Sequence, residues 1–409
     1  MSERQQKALA IAAKSKIAKK GDVWIVPSQS GNGHYKVNAN DPDWPTCTCP
    51  DFELRHARCK HIYATEIVIE RERSVTETTD GDVTTTTVTE TVKVTKRVTY
   101  KQDWPAYNQA QTNEKHIFQS LLHELCRTVV EPKQTKGRPR LPVGDMLFSA
   151  VFKVYSTISG RRFMTDLTEA HIKGYISELP CYNSIFNYLE MTELTPILHA
   201  LIRISSMPMT AIETDFAVDS SGFSTCRFVR WYNAKYGKEV DNHDWIKLHL
   251  TCGVKTNIVT AVEVSGRHAN DSPYFAPLVN DTAQRFTIRQ VSGDKAYLSN
   301  HNLETVEKHG GTAFVPFKSN STGEGGDVWK KMYHYFSFKR DEFLSQYHKR
   351  SNVESTFNMI KAKFGDSLRC KTDTAILNEA LCKVLGHNIC CVIQSMFEFG
   401  IQPTFWTES

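Results

Sequence analysis

No run of apolar residues in this chain of 409 approaches the roughly 20 that a membrane-crossing helix needs. The Lys-rich start lacks the apolar stretch of a secretory signal, so the chain is expected to be cytoplasmic with no membrane partner. Strong charge of either sign is missing as well. The formal charge is only +5, and any affinity for nucleic acid must come from local basic patches. Nor is there a disulfide framework: of 11 cysteines, Cys126, Cys181, Cys226, Cys252, Cys370, Cys382, Cys390 and Cys391 are scattered, most of them among apolar residues. They read as reduced core thiols. The length leaves room for about two or three domains and a sizeable core.

What is present centres on 347–361, Tyr-His-Lys-Arg-Ser-Asn-Val-Glu-Ser-Thr-Phe-Asn-Met-Ile-Lys. On an α-helix at about 100° per residue, Tyr347, Arg350, Glu354 and Lys361 fall on one narrow face. Val353, Phe357 and Ile360 form an apolar stripe on another side. Such a helix presents a carboxylate framed by cations, which suits a metal-binding or anion-binding site and equally a solvated face with intrahelical ion pairs. The spacing Y-x2-R-x3-E-x6-K resembles the signature of DDE transposases of bacterial insertion sequences. That resemblance makes Glu354 the third of three metal-binding carboxylates.

Near the start, Arg4, Lys7, Lys14, Lys16, Lys19 and Lys20 stand against one acid, Glu3, in an Ala-rich stretch expected to be helical over about 1–20. Its charge suits phosphate contact or simple solvation. Two short strand-like runs, 23–26 and 34–37, lead into Thr-Cys-Thr-Cys-Pro-Asp-Phe and then Cys-Lys-His. Cys47, Cys49, Cys59 and His61, spaced C-x-C-x9-C-x-H, offer a thiolate-rich set of the kind that holds tetrahedral Zn²⁺. With Trp24 and Tyr35 this stretch resembles a SWIM zinc finger, a ββα module whose zinc is structural. His56 and Asp51 do not fit the pattern and read as surface residues.

Residues 71–105 form the next segment, and its Thr-rich stretch 71–99 reads either as a linker or, around Asp80-Gly81, as an exposed hairpin. Helical periodicity then runs from about Glu114, with Ile117, Phe118, Leu121, Leu122 and Leu125 on one face. A basic run, Lys-Gln-Thr-Lys-Gly-Arg-Pro-Arg, ends at Arg140 and contains Arg138. Its Lys-Gly-Arg-Pro is similar to an AT-hook core that lies in the minor groove, and a plain basic linker is the alternative. Further helices are expected over about 147–158, closed by Gly160, and over 164–175, 182–189 and 196–205. A compact helical DNA-binding region over 106–208 follows, in which no segment marks itself as a recognition helix.

From Ala211 the period changes to two, with Glu213, Asp215 and Asp219 on one side of a strand. Strand-like runs at 246–254, 258–264, 286–291 and 312–317 alternate with helix-like stretches at 274–281 and 303–308. The order βββαβαβα, closed by the Tyr347 helix, is that of an RNase H-like fold. Asp219-Ser-Ser-Gly-Phe resembles the first-carboxylate motif of the DDE transposases, and Gly-Asp294-Lys-Ala-Tyr the second. The chain is thus expected to be α/β, with a SWIM-type zinc finger over 1–70, the segment 71–105, the helical region 106–208 and an RNase H-like mixed-sheet catalytic domain over 209–400.

The resemblance implies Mg²⁺ or Mn²⁺ on Asp219, Asp294 and Glu354, two-metal phosphoryl transfer, and double-stranded DNA as partner at both element end and target. It also implies contacts from Arg350, Lys361 and Tyr347 to that DNA, a homodimer in the synaptic complex, and a place at the nucleoid of a prokaryotic cell. Asp215 is the alternative first ligand, and Asp271 reads as a helix cap. Trp231, Trp245 and Trp329 suit packing or stacking on a flipped base. His387, on a core-like helix at 380–396, reads as structural. A catalytically silent DNA-binding protein, or a metal-dependent nuclease without strand transfer, would share much of this sequence.

Overall fold

A computed structural model describes residues 3–29, 33–41, 44–72, 75–80, 83–88, 103–131, 134, 137, 139–225, 235, 237 and 244–405. They fall into two units, Met1–Lys101 and Gln102–Ser409. In the first, α1 (Glu3–Lys14) ends sooner than its composition suggests, and Lys19 and Lys20 belong instead to β1 (Ala18–Lys20), paired with Trp24 and Val23. The Lys19 ammonium lies 6.0 Å over the Trp24 ring. Strands β2 (Val23–Pro27), β3 (His34–Asn38) and β4 (Thr46–Cys47) complete an antiparallel sheet of order β1-β2-β3-β4, followed by α2 (Pro50–Arg55) and α3 (Lys60–Glu72). Ala8, Ile11, Val26, Val37 and Ile62 close a small core. The Thr-rich segment forms a hairpin rather than a plain linker: β5 (Val75–Asp80) pairs antiparallel with β6 (Val83–Val88), as its β-branched residues favour.

The second unit begins with five helices, α4 (Trp104–Cys126), α5 (Val143–Ser156), α6 (Gly160–Ile172), α7 (Tyr182–Leu189) and α8 (Leu194–Ser206). Gly160 opens α6 and does not close α5; the stop is Thr157, in the left-handed region at φ 59°. Five strands follow: β7 (Asp215–Ser224), β8 (Trp245–Gly253), β9 (Val259–Gly266), β10 (Gln290–Gly293) and β11 (Thr312–Phe314). Their order is β11-β10-β7-β8-β9, with β7, β8 and β9 antiparallel and β10 and β11 parallel additions on the other side of β7. Helices α9 (Ser272–Ala283) and α10 (Asn300–Lys308) are the crossovers, and α11 (Asp327–Phe338), α12 (Arg340–Tyr347) and α13 (Ser351–Phe364) follow β11. This is the RNase H-like mixed sheet that the sequence order implies.

Helix α14 (Asp373–Phe399) corrects one expectation, since it is long and apolar enough to cross a membrane. Its apolarity serves the interior instead: 89% of that window is buried, against α4, α5 and α8. Buried Asn388 ties it to the sheet, exchanging bonds with the Val259 N–H and carbonyl at 2.9 and 2.8 Å and donating to the Ile202 carbonyl at 3.2 Å. The five leading helices and the sheet share one continuous core. Every cysteine among the described residues is a free thiol.

Candidate active site and metal centre

The middle strand of the sheet carries the first acid. Asp219 pairs with Leu250 of β8, and the parallel register of β10, with Gly293 opposite Val218, sets Asp294 beside it just past the strand end. Asp294 then caps a single 3-10 turn, accepting from the Lys295 N–H at 2.7 Å. Glu354 approaches from α13, whose Val353, Phe357 and Ile360 are buried as their spacing implies.

The stretch 347–361 is not one helix. Tyr347 ends α12, His348–Arg350 form a 3-10 turn, and Arg350 is the N-cap of α13. This break rotates Arg350 onto the sheet. Its Nη1 donates to Asp219 Oδ2 at 2.6 Å and its Nη2 to Glu354 Oε1, while its guanidinium lies 6.0 Å from the Tyr347 ring centre. Arg350 and Asp219 are each only 20% exposed, whereas Glu354 is 53% exposed. Burial pushes the Asp219 carboxyl above its ordinary value, the Ser220 N–H and Arg350 oppose this, and Asp294 and Glu354 add to the rise. For Arg350, burial works against the charge, but Asp219, Tyr347, Glu354 and Asp294 more than offset it. Three acids and one guanidinium thus share a single electrostatic neighbourhood.

Asp215 is committed elsewhere. Arg289 grips both its oxygens at 2.7 and 2.6 Å, and the Lys349 ammonium lies 2.9 Å from Oδ2. Burial alone would raise its pKa, but these partners hold the carboxyl below its ordinary value. Glu213 precedes the strand and accepts from the Lys255 N–H at 3.0 Å and the Thr256 hydroxyl at 2.8 Å, pinning the β8–β9 turn. Lys349 and Arg289 went unread in the sequence; the basic run His-Lys-Arg at 348–350 was the available signal.

The remaining candidates divide. Lys361 donates to Ser221 Oγ at 2.6 Å and lies 5.1 Å over the Phe223 ring; burial lowers its pKa. It therefore sits on the face of β7 that bears Asp219, bound to the strand and not paired with Glu354. Arg140 is exposed, and Arg138 and Trp231 lie outside the described residues. Asp271 occupies the N-cap position of α9 without a side-chain cap, correcting the expectation. Its Oδ1 accepts instead from Lys247 at 2.7 Å and from Ser220 at 3.0 Å, because those residues point to the opposite face of the sheet from Asp219. Trp329 packs edge-on to Phe317, Trp245 covers Gly222, and His387 bonds the Asn257 carbonyl at 2.9 Å within the core.

In the first unit, Cys47 and Cys49 flank the end of β4, and Cys59 and His61 stand at the start of α3. All four are buried, with ligand atoms within 4.8 Å of one another. His61 Nδ1 is 4.0 Å from Cys47 Sγ and 3.9 Å from Cys59 Sγ. A zinc tetrahedron with bonds of about 2.3 Å to sulfur and 2.0–2.1 Å to nitrogen has S···N edges of about 3.6 Å, so this donor set fits the ion closely. The hydrogen bond from Cys47 lowers the Cys59 thiol and favours its thiolate. Among the described residues this is the one His, Cys, Asp and Glu cluster so tightly closed. His56 and Asp51 lie outside it, Asp51 pairing with Arg4 and Arg55.

Two family models match the chain. Residues 211–389 match the transposase DDE domain, and residues 35–70 match the SWIM zinc finger. No curated protein and no solved structure matches it.

Proposed function

We propose that this chain, which carries a transposase DDE domain behind a SWIM zinc finger, binds the ends of a DNA element and catalyses metal-dependent strand cleavage and transfer at Asp219, Asp294 and Glu354. The observation that carries the reading is the meeting of Asp219 and Glu354 on Arg350, with Asp294 alongside. The donors are all carboxylate oxygens, and burial with two neighbouring acids raises the Asp219 carboxyl. That surplus of negative charge suits a hard divalent cation such as Mg²⁺ or Mn²⁺. Held by the three acids, such ions would activate the attacking oxygen and stabilise the leaving oxygen of an in-line phosphodiester displacement.

The chain's own cations do the positioning. Arg350 has N–H groups left over after Asp219 and Glu354 for a DNA phosphate, and Tyr347 lies beside its guanidinium. Lys361, anchored on Ser221, adds charge along the same strand face. Arg138 and Arg140 serve the DNA backbone farther along. Water attacks first and frees a 3′-OH at the element end; that 3′-OH then attacks target DNA. Each step makes one P–O bond and breaks another, and no covalent enzyme intermediate is needed. Two copies of the chain bring the two ends together in a synaptic complex at the bacterial nucleoid. In the SWIM finger, zinc on Cys47, Cys49, Cys59 and His61 supplies folding energy to a small core.

The test is incubation of the purified protein with DNA bearing the inverted repeats that flank its gene, in Mg²⁺ or Mn²⁺, beside Glu354→Gln. Nicks at the repeat ends and joined products, both absent from the variant, support the reading. Cleavage without joining points to a nuclease, and cleavage that survives Glu354→Gln overturns the site.

A further inference from the structure

One helix in the leading segment presents a face with no internal role. α7 contains no charged residue. Ile185, Tyr188 and Leu189 are buried and define its inner side. Asn183 and Asn187, spaced i, i+4, lie within about 40° of each other on the opposite side, and both are exposed. Solvated helix faces usually carry Glu, Lys, Gln or Arg, all better helix formers than Asn. Neither carboxamide makes a hydrogen bond among the described residues. Helix stability therefore gives no reason for this outward pair.

The flanks supply positive charge. α6 opens with Arg161 and Arg162, both exposed, and the Arg161 guanidinium lies 5.0 Å over the ring of Tyr182, the first residue of α7. On the other side, the Tyr188 hydroxyl donates to the Leu141 carbonyl at 2.7 Å. That bond fastens the end of the basic run to α7. Exposed Arg140 precedes Leu141 in the chain and is thereby held near this end of α7; burial pushes the Tyr188 phenol up, Arg140 opposes the rise and Glu131 adds to it. One acid shares this side: Glu190, the exposed C-cap of α7, follows Asn187 at i+3 and closes the C-terminal end of the face.

The setting has the form that presents a helix to a groove. α5, α6 and α7 each touch the other two. Past the Lys173 C-cap of α6 the chain reverses at Gly174, φ 77°, with the Gly174 N–H bonded to the His171 carbonyl and the Tyr175 N–H to the Ala170 carbonyl. Glycine is required there because the reversal needs a left-handed backbone. An α7 of two turns is about 12 Å long, comparable to the width of a major groove.

We propose that α7 is the element with which this chain reads duplex DNA, with Asn183 and Asn187 facing base edges and Arg140, Arg161 and Arg162 holding the phosphates to either side. This rests on the transposase reading and adds to it the reader of the element end. A carboxamide pairs bidentately with adenine N6 and N7, so the contacted positions are adenines.

The experiment is fluorescence anisotropy of labelled duplexes, one carrying the flanking inverted repeat and one unrelated, with end cleavage assayed in parallel. Asn183→Ala/Asn187→Ala is expected to lower the ratio of end to unrelated affinity by about tenfold or more, with a circular-dichroism melt no lower than that of wild type. Arg161→Ala/Arg162→Ala is expected to weaken both duplexes alike and to flatten the salt dependence. Wild type that cleaves ends while the double Asn variant keeps its ratio overturns the assignment of α7 and leaves the transposase reading standing. Wild type that neither prefers nor cleaves the ends overturns both.

Discussion

Replacing Asp215 by Asn separates the two acids at the head of β7. The variant keeps the shape of the side chain and removes its charge from between Arg289 and Lys349, whose three contacts with it run from 2.6 to 2.9 Å. Asp215 is 12% exposed and Lys349 29%, while Arg289 is 68% exposed. Hydrogen bonds to charged groups contribute about 1.5–3 kcal/mol net, and the solvated Arg289 bond belongs at or below the low end of that range. The loss is therefore about 2–3 kcal/mol, a fall in melting temperature of roughly 5 °C for a unit of this size. Because the partners hold the Asp215 carboxyl low, its contribution is fully present above the unfolded value of about 3.9 and is lost as pH falls through the lower folded value. Thermal melts at neutral and acid pH measure this, and an end-cleavage assay runs beside them. Cleavage is expected to persist at reduced rate, since Lys349 tethers the turn that carries Arg350. A variant that melts like wild type yet has lost cleavage as completely as Asp219→Asn would make Asp215, and not Asp219, the first ligand.

Other perturbations follow from single contacts. A Cβ on Gly222 would sit 2.6 Å from Trp245 Cε3, so Gly222→Ala is expected to cost about 1–3 kcal/mol by overpacking, read from a denaturant melt. Buried Lys383 donates to the Gly365 and Ser367 carbonyls at 2.8 and 2.9 Å, and burial lowers its pKa to about 8. Between that value and the unfolded value of about 10.4 the native state gives up its proton first, so this group's share of stability rises with pH, and Lys383→Met is expected to abolish that slope. Cys59→Ser is expected to lose the bound zinc, measured by elemental analysis, and to open residues 35–70 to limited proteolysis.

How much of this was legible depended on how local each signal was. The zinc set was readable because C-x-C and C-x-H each lie within three residues, so spacing alone brings the ligands near one another. The sheet order was readable because alternation and crossover helices leave period-two and period-3.6 marks. Arg350 was placed on the right side of Glu354 by helical arithmetic, but its bond to Asp219 spans 131 residues and needed the turn at His348–Arg350, which no periodicity announces. Lys361 illustrates the same limit: on the helix wheel it flanks Glu354, whereas in the fold it reaches Ser221. Asp271 had the sequence of a cap, and tertiary contact with Lys247 and Ser220 overrode that local choice.

The proposed role of Asp219 as a metal ligand of the cleaving centre can be probed by exchanging its donor atom. In Asp219→Cys a soft thiolate replaces a hard carboxylate, a change that disfavours Mg²⁺ far more than Mn²⁺. End cleavage is expected to be lost in Mg²⁺ and regained in Mn²⁺, with DNA affinity unchanged. Equal activity of Asp219→Cys in the two metals would contradict it.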